Sequence, residues 1–142
     1  MYTVKQAANI LGISVHTVRY YDDKGLIPGV KRNSANQRIF DDMDIEWLFI
    51  SITLRNTGLS LAEVKRYITL YQQGDDTLKE RYQIMQTQRE QTLKEMEDLK
   101  LRLMVLDKKI EHYGKLLNGE EDTWSHEYIQ NLIWKGKRKY DK

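Results

Sequence analysis

The sequence predicts a mainly α-helical protein with a winged helix-turn-helix head, a long dimerising coiled-coil helix and a short C-terminal tail. Three observations predict it. Two short, separately capped helices follow one another at the N-terminus. Two extended stretches around a polar loop come next. An apolar seam then repeats at a fixed period from residue 78 to 117.

The head begins with Thr3-Val-Lys-Gln6, a capping-box pattern in which Thr3 caps the helix and Gln6 reaches back from three residues on. The short helix that follows buries Val4, Ala7, Ala8 and Leu11 at helical spacing. Gly12 ends it, since glycine takes the left-handed conformation at little cost. Ser14 caps a second helix running to about Lys24, which Gly25 stops. Two short helices joined by Leu11-Gly12-Ile13 make a helix-turn-helix, and in that motif the second helix enters a groove. Beyond Gly25 the apolar stretch 26–30 is extended, because Pro28 biases its predecessor away from helix. Residues 37–40 return as a second strand, and the polar segment 31–36 turns between them. This is a small two-stranded wing, which at that size must lean on the helices.

A third helix is predicted over 41–56, its acidic residues in the first turn where the helix dipole favours them, with Ile45, Leu48, Phe49 and Ile52 inward. Gly58 stops it. Ser60-Leu-Ala-Glu63 opens a fourth helix that turns Leu61, Val64, Ile68 and Tyr71 inward, and Thr77-Leu-Lys-Glu80 repeats the capping box before the longest element. From there Leu78, Tyr82, Met85, Arg89, Thr92, Met96, Leu99, Leu103, Leu106, Ile110, Tyr113 and Leu117 step by alternating fours and threes, and ten of the twelve are apolar. A 3.5-residue period of this kind is a coiled-coil signal. A helix roughly 60 Å long cannot bury such a stripe in its own chain, so the seam requires a partner, most simply a second copy. The dimerisation residues are Met96, Leu99, Leu103, Leu106, Ile110, Tyr113 and Leu117. The heptads do not fix strand direction. The predicted organisation is a head over 1–73, a linker over 74–77, the coil over 78–117 and a tail over 118–142. The tail holds Trp124, His126 and Tyr128, an amphipathic set at Ile129, Leu132 and Ile133, and the basic run 135–139.

Composition narrows the function classes. The chain has no cysteine, which removes disulfides, thiolate metal sites and thiol nucleophiles. Three scattered histidines make a poor metal site, so neither metal nor cofactor is expected. No paired carboxylates, nucleophile–base arrangement or glycine-rich phosphate loop is present, and the chain is not expected to be an enzyme. No apolar run approaches a membrane span and the N-terminus has no signal pattern, so the expectation is a cytoplasmic protein without a membrane partner. Net charge is only +2, but residues 1–40 hold six Lys/Arg against Asp22 and Asp23, followed by Asp41, Asp42, Asp44 and Glu46. A basic head suits a polyanion.

With these elements in order, residues 1–117 resemble the MerR family of bacterial transcription regulators. The resemblance rests on Tyr2-Thr3-Val4, on Val18-Arg-Tyr-Tyr-Asp-Asp-Lys-Gly-Leu-Ile27, on Arg32, on Arg38-Ile-Phe40 and on the turn Leu54-Arg-Asn-Thr-Gly58. The helix Asp44-Ile-Glu-Trp-Leu48 and the linker Leu70-Tyr-Gln-Gln-Gly-Asp-Asp76 are most similar to the aldehyde-responsive branch. The sensor cysteine of that branch is absent, and Thr53 stands at its position. The resemblance implies that Arg19 and Tyr20 anchor the second helix to DNA, that Ser14, His16 and Thr17 meet base edges, and that Arg32 and Arg38 clamp the backbone from the wing. Tyr21 and Arg55 complete the implied DNA-binding set. Where family wings carry glycine-tyrosine, this one has Asn36-Gln37, which preserves the turn and loses an aromatic contact.

The resemblance further implies an antiparallel homodimer on a near-palindromic promoter operator. It would bend and untwist the DNA in response to a signal, with RNA polymerase as a further partner. The sequence does not identify an effector; were a small molecule to bind, Tyr82, Met85, Trp124 and Trp134 are the candidate residues. Two other classes compete: a ligand-independent, excisionase-like architectural DNA-binding protein, and a coiled-coil adaptor whose head binds protein. The long seam and tail weigh against the first, since a pure DNA bender needs neither.

Overall fold

In the computed structural model, which describes residues 1–120, 129–131 and 133–134, the N-terminal helices are set by their caps. The Thr3 hydroxyl accepts from the Gln6 N–H at 3.1 Å, and the Gln6 side chain accepts from the Thr3 N–H at 2.9 Å. The predicted capping box therefore opens α1 (Val4–Leu11), and Gly12 closes it with φ 65°. Ser14 caps α2 (Val15–Asp23), its hydroxyl accepting from the Thr17 N–H at 3.0 Å. Each such cap is worth about 1 kcal/mol, which matters for helices this short.

The wing is three-stranded, not two-stranded. Tyr2–Thr3 forms β1, Lys31–Arg32 forms β2 and Arg38–Phe40 forms β3, in the antiparallel order β1-β3-β2. Tyr2 pairs with Phe40 and Arg32 with Arg38. The predicted first strand over 26–30 is displaced to 31–32 because Leu26 and Ile27 are buried in the core. At the wing tip the Asn33 carboxamide accepts from the N–H groups of Ala35 and Gln37, at 3.0 and 2.9 Å. Asn36 stands in the left-handed region at φ 60°, as its replacement of glycine anticipated.

Helix α3 (Asp42–Asn56) starts at Asp41, and Asp41 and Asp44 form a reciprocal capping box. Its buried face departs from the predicted one at Phe49. Asp44, Trp47, Leu48 and Ser51 are buried, Ile45 and Ile52 are half-buried, and Phe49 is 58% exposed. Apolar residues lie on several sides of this helix, so periodicity alone cannot choose among them. The neighbours choose: Ser51 donates to the Leu26 carbonyl at 3.3 Å, which turns Phe49 outward.

Helix α4 (Leu61–Gln72) buries Val64, Ile68 and Leu70. Tyr71, expected inward, is 48% exposed, its ring edge-on to Trp47 at 5.2 Å with the Arg81 guanidinium over it at 5.0 Å. Ser60 caps this helix as predicted, accepting from the Glu63 N–H at 3.1 Å. Thr77 does not cap α5 (Leu78–Leu117). It ends a 3-10 turn (Asp75–Thr77) that runs directly into the helix, and its buried hydroxyl donates back to the Leu70 carbonyl at 2.6 Å.

The chain divides into two units, Met1–Leu93 and Lys94–Lys142. In the first, Val18, Leu26, Phe40, Leu48 and Val64 are fully buried, and Ile84 of α5 joins the same core. In the second, Leu99, Leu103, Leu106, Ile110, Tyr113 and Leu117 are all more than half exposed, and Met96 nearly so. The helix closes on Gly119 (φ 75°), where the Glu120 N–H bonds the Lys115 carbonyl at 2.9 Å. Among the described residues, no helix is long and apolar enough to cross a membrane.

Candidate nucleic-acid interface

The sequence 15–23 has one apolar face and one polar face, and burial separates them cleanly. Val18 and Tyr21 point into the core, while His16, Arg19 and Tyr20 are exposed and Thr17 is half-exposed. Ser14 and Thr17 share a hydroxyl–hydroxyl hydrogen bond of 2.8 Å, so part of the polarity of the first turn is committed to the helix cap. The Tyr20 ring is 41% exposed, stands edge-on to Tyr21 at 5.8 Å and has the Lys24 ammonium over its face at 5.7 Å. Of the two adjacent tyrosines, Tyr20 is the outward one. Tyr21, included in the expected DNA-binding set, is corrected to a core residue, because the helical step that exposes Tyr20 turns its neighbour inward.

Arg19 meets the wing across a cleft of about 320 Å³. Its other walls are Arg32, Arg38, Asn33, Asn36, Gln37 and Ile39 from the wing, with Thr3 and Val4 at the start of α1. Three of the predicted arginines thus share one site, although Arg19 and Arg32 are thirteen positions apart. The polar lining from Asn33, Asn36 and Gln37 was read from the sequence only as turn chemistry.

The three arginines are not equivalent. Arg32 is exposed and donates to the Asn36 carbonyl at 2.8 Å, which orients its guanidinium along the wing. Arg38 is mostly buried, with Nε donating to Asp22 at 2.6 Å and Nη2 to Asp23 at 2.5 Å. The expected role of Arg38 as a phosphate clamp has a competitor within the protein, since two of its three nitrogens already donate to carboxylates. Arg55 lies outside the cleft, and its guanidinium donates to the Leu59 carbonyl at 2.6 Å, tying off the turn between α3 and α4.

Behind the cleft, burial pushes the Asp44 carboxyl above the usual carboxylate range, with the Asp41 and Asp22 charges adding to the rise and a hydrogen bond from the Asp41 backbone opposing it. Tyr2 donates to Asp42 at 2.8 Å, and that bond and charge hold its phenol above its ordinary value. The Tyr2–Asp42 bond fastens the start of α3 to the first strand.

Of the effector candidates, Tyr82 and Met85 line an open groove of about 390 Å³ with Gln86, Arg89 and Glu90. Trp134 is exposed in the second unit, and Trp124 lies outside the described residues, as do His126, Tyr128, Leu132 and the basic run 135–139.

Comparison with known proteins bears on this geometry. The family model for "MerR HTH family regulatory protein" matches residues 2–70, and that for "MerR, DNA binding" matches residues 49–110. An uncharacterized HTH-type transcriptional regulator of Haemophilus influenzae is 39% identical over 114 residues, which is 80% of this chain and 84% of that protein. The regulator AdhR of Bacillus subtilis is 37% identical over 63% of this chain and 64% of its own length. Among solved structures, HiNmlR, described as a MerR family regulator lacking the sensor domain and bound to promoter DNA, matches at 38% identity with a TM-score of 0.67. That match covers 84% of this chain and 95% of HiNmlR. A putative MerR family transcriptional regulator from Listeria monocytogenes matches over all of both chains, at 27% identity and a TM-score of 0.69.

Proposed function

The chain belongs to the MerR family and is a transcription regulator that acts by binding DNA, and from that premise we propose how its residues do so. The observation that carries the proposal is the cleft shared by the exposed Arg19 of α2 and Arg32 of the wing, with the exposed Tyr20 beside Arg19 on the same helix. Arg19 and Arg32 hold phosphates, because the guanidinium fork matches phosphate geometry. The exposed Tyr20 packs on the sugar-phosphate backbone. His16 and Thr17, on the first turn of α2, face base edges, with Ser14 acting chiefly as the cap that aims them. Backbone contacts set register and the first turn reads sequence.

The active species is a homodimer joined along the exposed seam of α5, and its operator is near-palindromic to match. Family membership supports a mechanism in which the dimer bends and untwists promoter DNA for RNA polymerase. The deformation costs on the order of a few kcal/mol, which added phosphate contacts offset. The function is binding and not catalysis. A non-covalent effector is proposed for the groove at Tyr82 and Met85, with Trp134 and Trp124 as further candidates.

The test is binding to a labelled duplex taken from upstream of the gene, titrated at several salt concentrations. Arg19→Ala is expected to weaken binding across all duplexes and to lower the slope of log K against log salt by about one. Thr17→Ala is expected to change the preference among operator variants instead. Normal binding by Arg19→Ala at every salt concentration refutes the placement of α2, and salt-independent binding by the parent protein refutes the interface.

A further inference from the structure

We propose that Arg38 governs DNA binding as a positioning residue, acting through Asp22 and Asp23, and does not itself hold a phosphate. The inference rests on the DNA-binding reading above. Arg38 belongs to the wing strand β3, whereas Asp22 and Asp23 form the last turn of α2. The two bonds, at 2.6 and 2.5 Å, therefore bolt the wing to the end of the helix that carries Arg19 and Tyr20. Only 15% of the Arg38 side chain and 19% of that of Asp22 is exposed, so this pair is much less screened than a surface ion pair.

Electrostatics gives the bolt a second task. A helix C-terminus carries partial negative charge, so carboxylates in its last turn are disfavoured unless a cation answers them. Here two such carboxylates stand beside a cleft that receives a polyanion. Arg38 neutralises them and leaves Arg19 and Arg32 as the groups that meet phosphate. A phosphate approaching Arg38 meets a partly buried guanidinium whose Nε and Nη2 already donate to carboxylates, so the bidentate fork it would need is no longer whole.

The test compares the parent protein with Arg38→Gln and with the triple variant Arg38→Gln/Asp22→Asn/Asp23→Asn, each binding the same upstream duplex, with thermal unfolding measured alongside. The triple variant replaces the ion pairs with a neutral amide network of nearly the same shape. The single substitution is expected to weaken binding by about tenfold or more, because it leaves two unanswered carboxylates and loosens the wing. The triple variant is expected to recover to within about threefold of the parent and to keep the parental salt slope. A triple variant as weak as the single one, or a single variant that binds like the parent, overturns the proposal. Should Arg38→Gln not fold, the salt slope of the triple variant decides alone, a fall of about one marking a lost phosphate contact. Failure of the parent to bind the duplex would instead refute the DNA-binding reading.

Discussion

Arg19 and Arg38 line the same cleft with the same charge, and their surroundings give them opposite tasks. Arg19 is exposed on the outer face of α2, while Arg38 is committed to Asp22 and Asp23. Asp44 illustrates the same dependence on surroundings. It is 4% exposed, and its carboxylate accepts from the Asp41 N–H at 2.9 Å, so the capping bond is retained while the charge sits in a poorly solvated place. Its folded-state pKa is raised, which means the folded chain binds the proton more tightly than the unfolded one. Stability contributed by this group therefore falls as pH rises from the ordinary carboxylate value through the raised one, and the cost is fully present above it. Asp44→Asn keeps an acceptor for the Asp41 N–H and removes the charge. The variant is expected to melt above the parent at pH 7, with the difference shrinking as pH falls through the raised pKa. A difference that grows on acidification would show that the Asp44 charge is stabilising.

At the scale of elements, α3 shows how one helix serves the core and the surface at once. Leu48 and Ser51 face the core, Phe49 faces out, and Thr53 is exposed one turn before the helix ends. The resemblance to the aldehyde-responsive branch puts a sensor cysteine at the Thr53 position, and a threonine hydroxyl stays protonated at neutral pH and is a weak nucleophile. With no cysteine anywhere in the chain, thiol chemistry has no other place to occur. Formaldehyde, methylglyoxal and diamide are therefore expected to leave transcription from its own promoter unchanged. Activation by any of them together with a mass shift would refute non-covalent sensing.

For the whole molecule, the second unit exposes an apolar stripe along α5. Leu99, Leu103, Leu106 and Ile110 are each 57–69% exposed and follow the heptad seam. Burying such side chains is worth about 1.5–3 kcal/mol apiece, so a second seam is the natural cover. Leu99→Glu/Leu106→Glu is expected to sediment as a monomer and to lose operator binding, because half-sites must be held together to be bound together. A double variant that stays dimeric would disprove assembly through α5.

Local chemistry was legible in the sequence by itself. The caps at Thr3, Ser14 and Ser60, the left-handed Gly12, the helix-turn-helix and the long helix of α5 all depend on residues within a few positions of one another. Much of the candidate interface was legible for the same reason, since His16, Arg19 and Tyr20 lie on one helical face. The rest was decided by packing between distant segments. That Tyr2–Thr3 joins the wing as a strand depends on Phe40 and Ile39. That Phe49 and Tyr71 are exposed depends on what fills the core beside them, a choice that apolar residues on more than one side of α3 and at the edge of the buried face of α4 leave open. That Arg38 serves the protein before the DNA depends on carboxylates sixteen and fifteen residues away. Periodicity specifies which faces a helix has. Only the tertiary structure decides which neighbour each face meets, because that choice is made by the burial and charge pairing of the assembled chain.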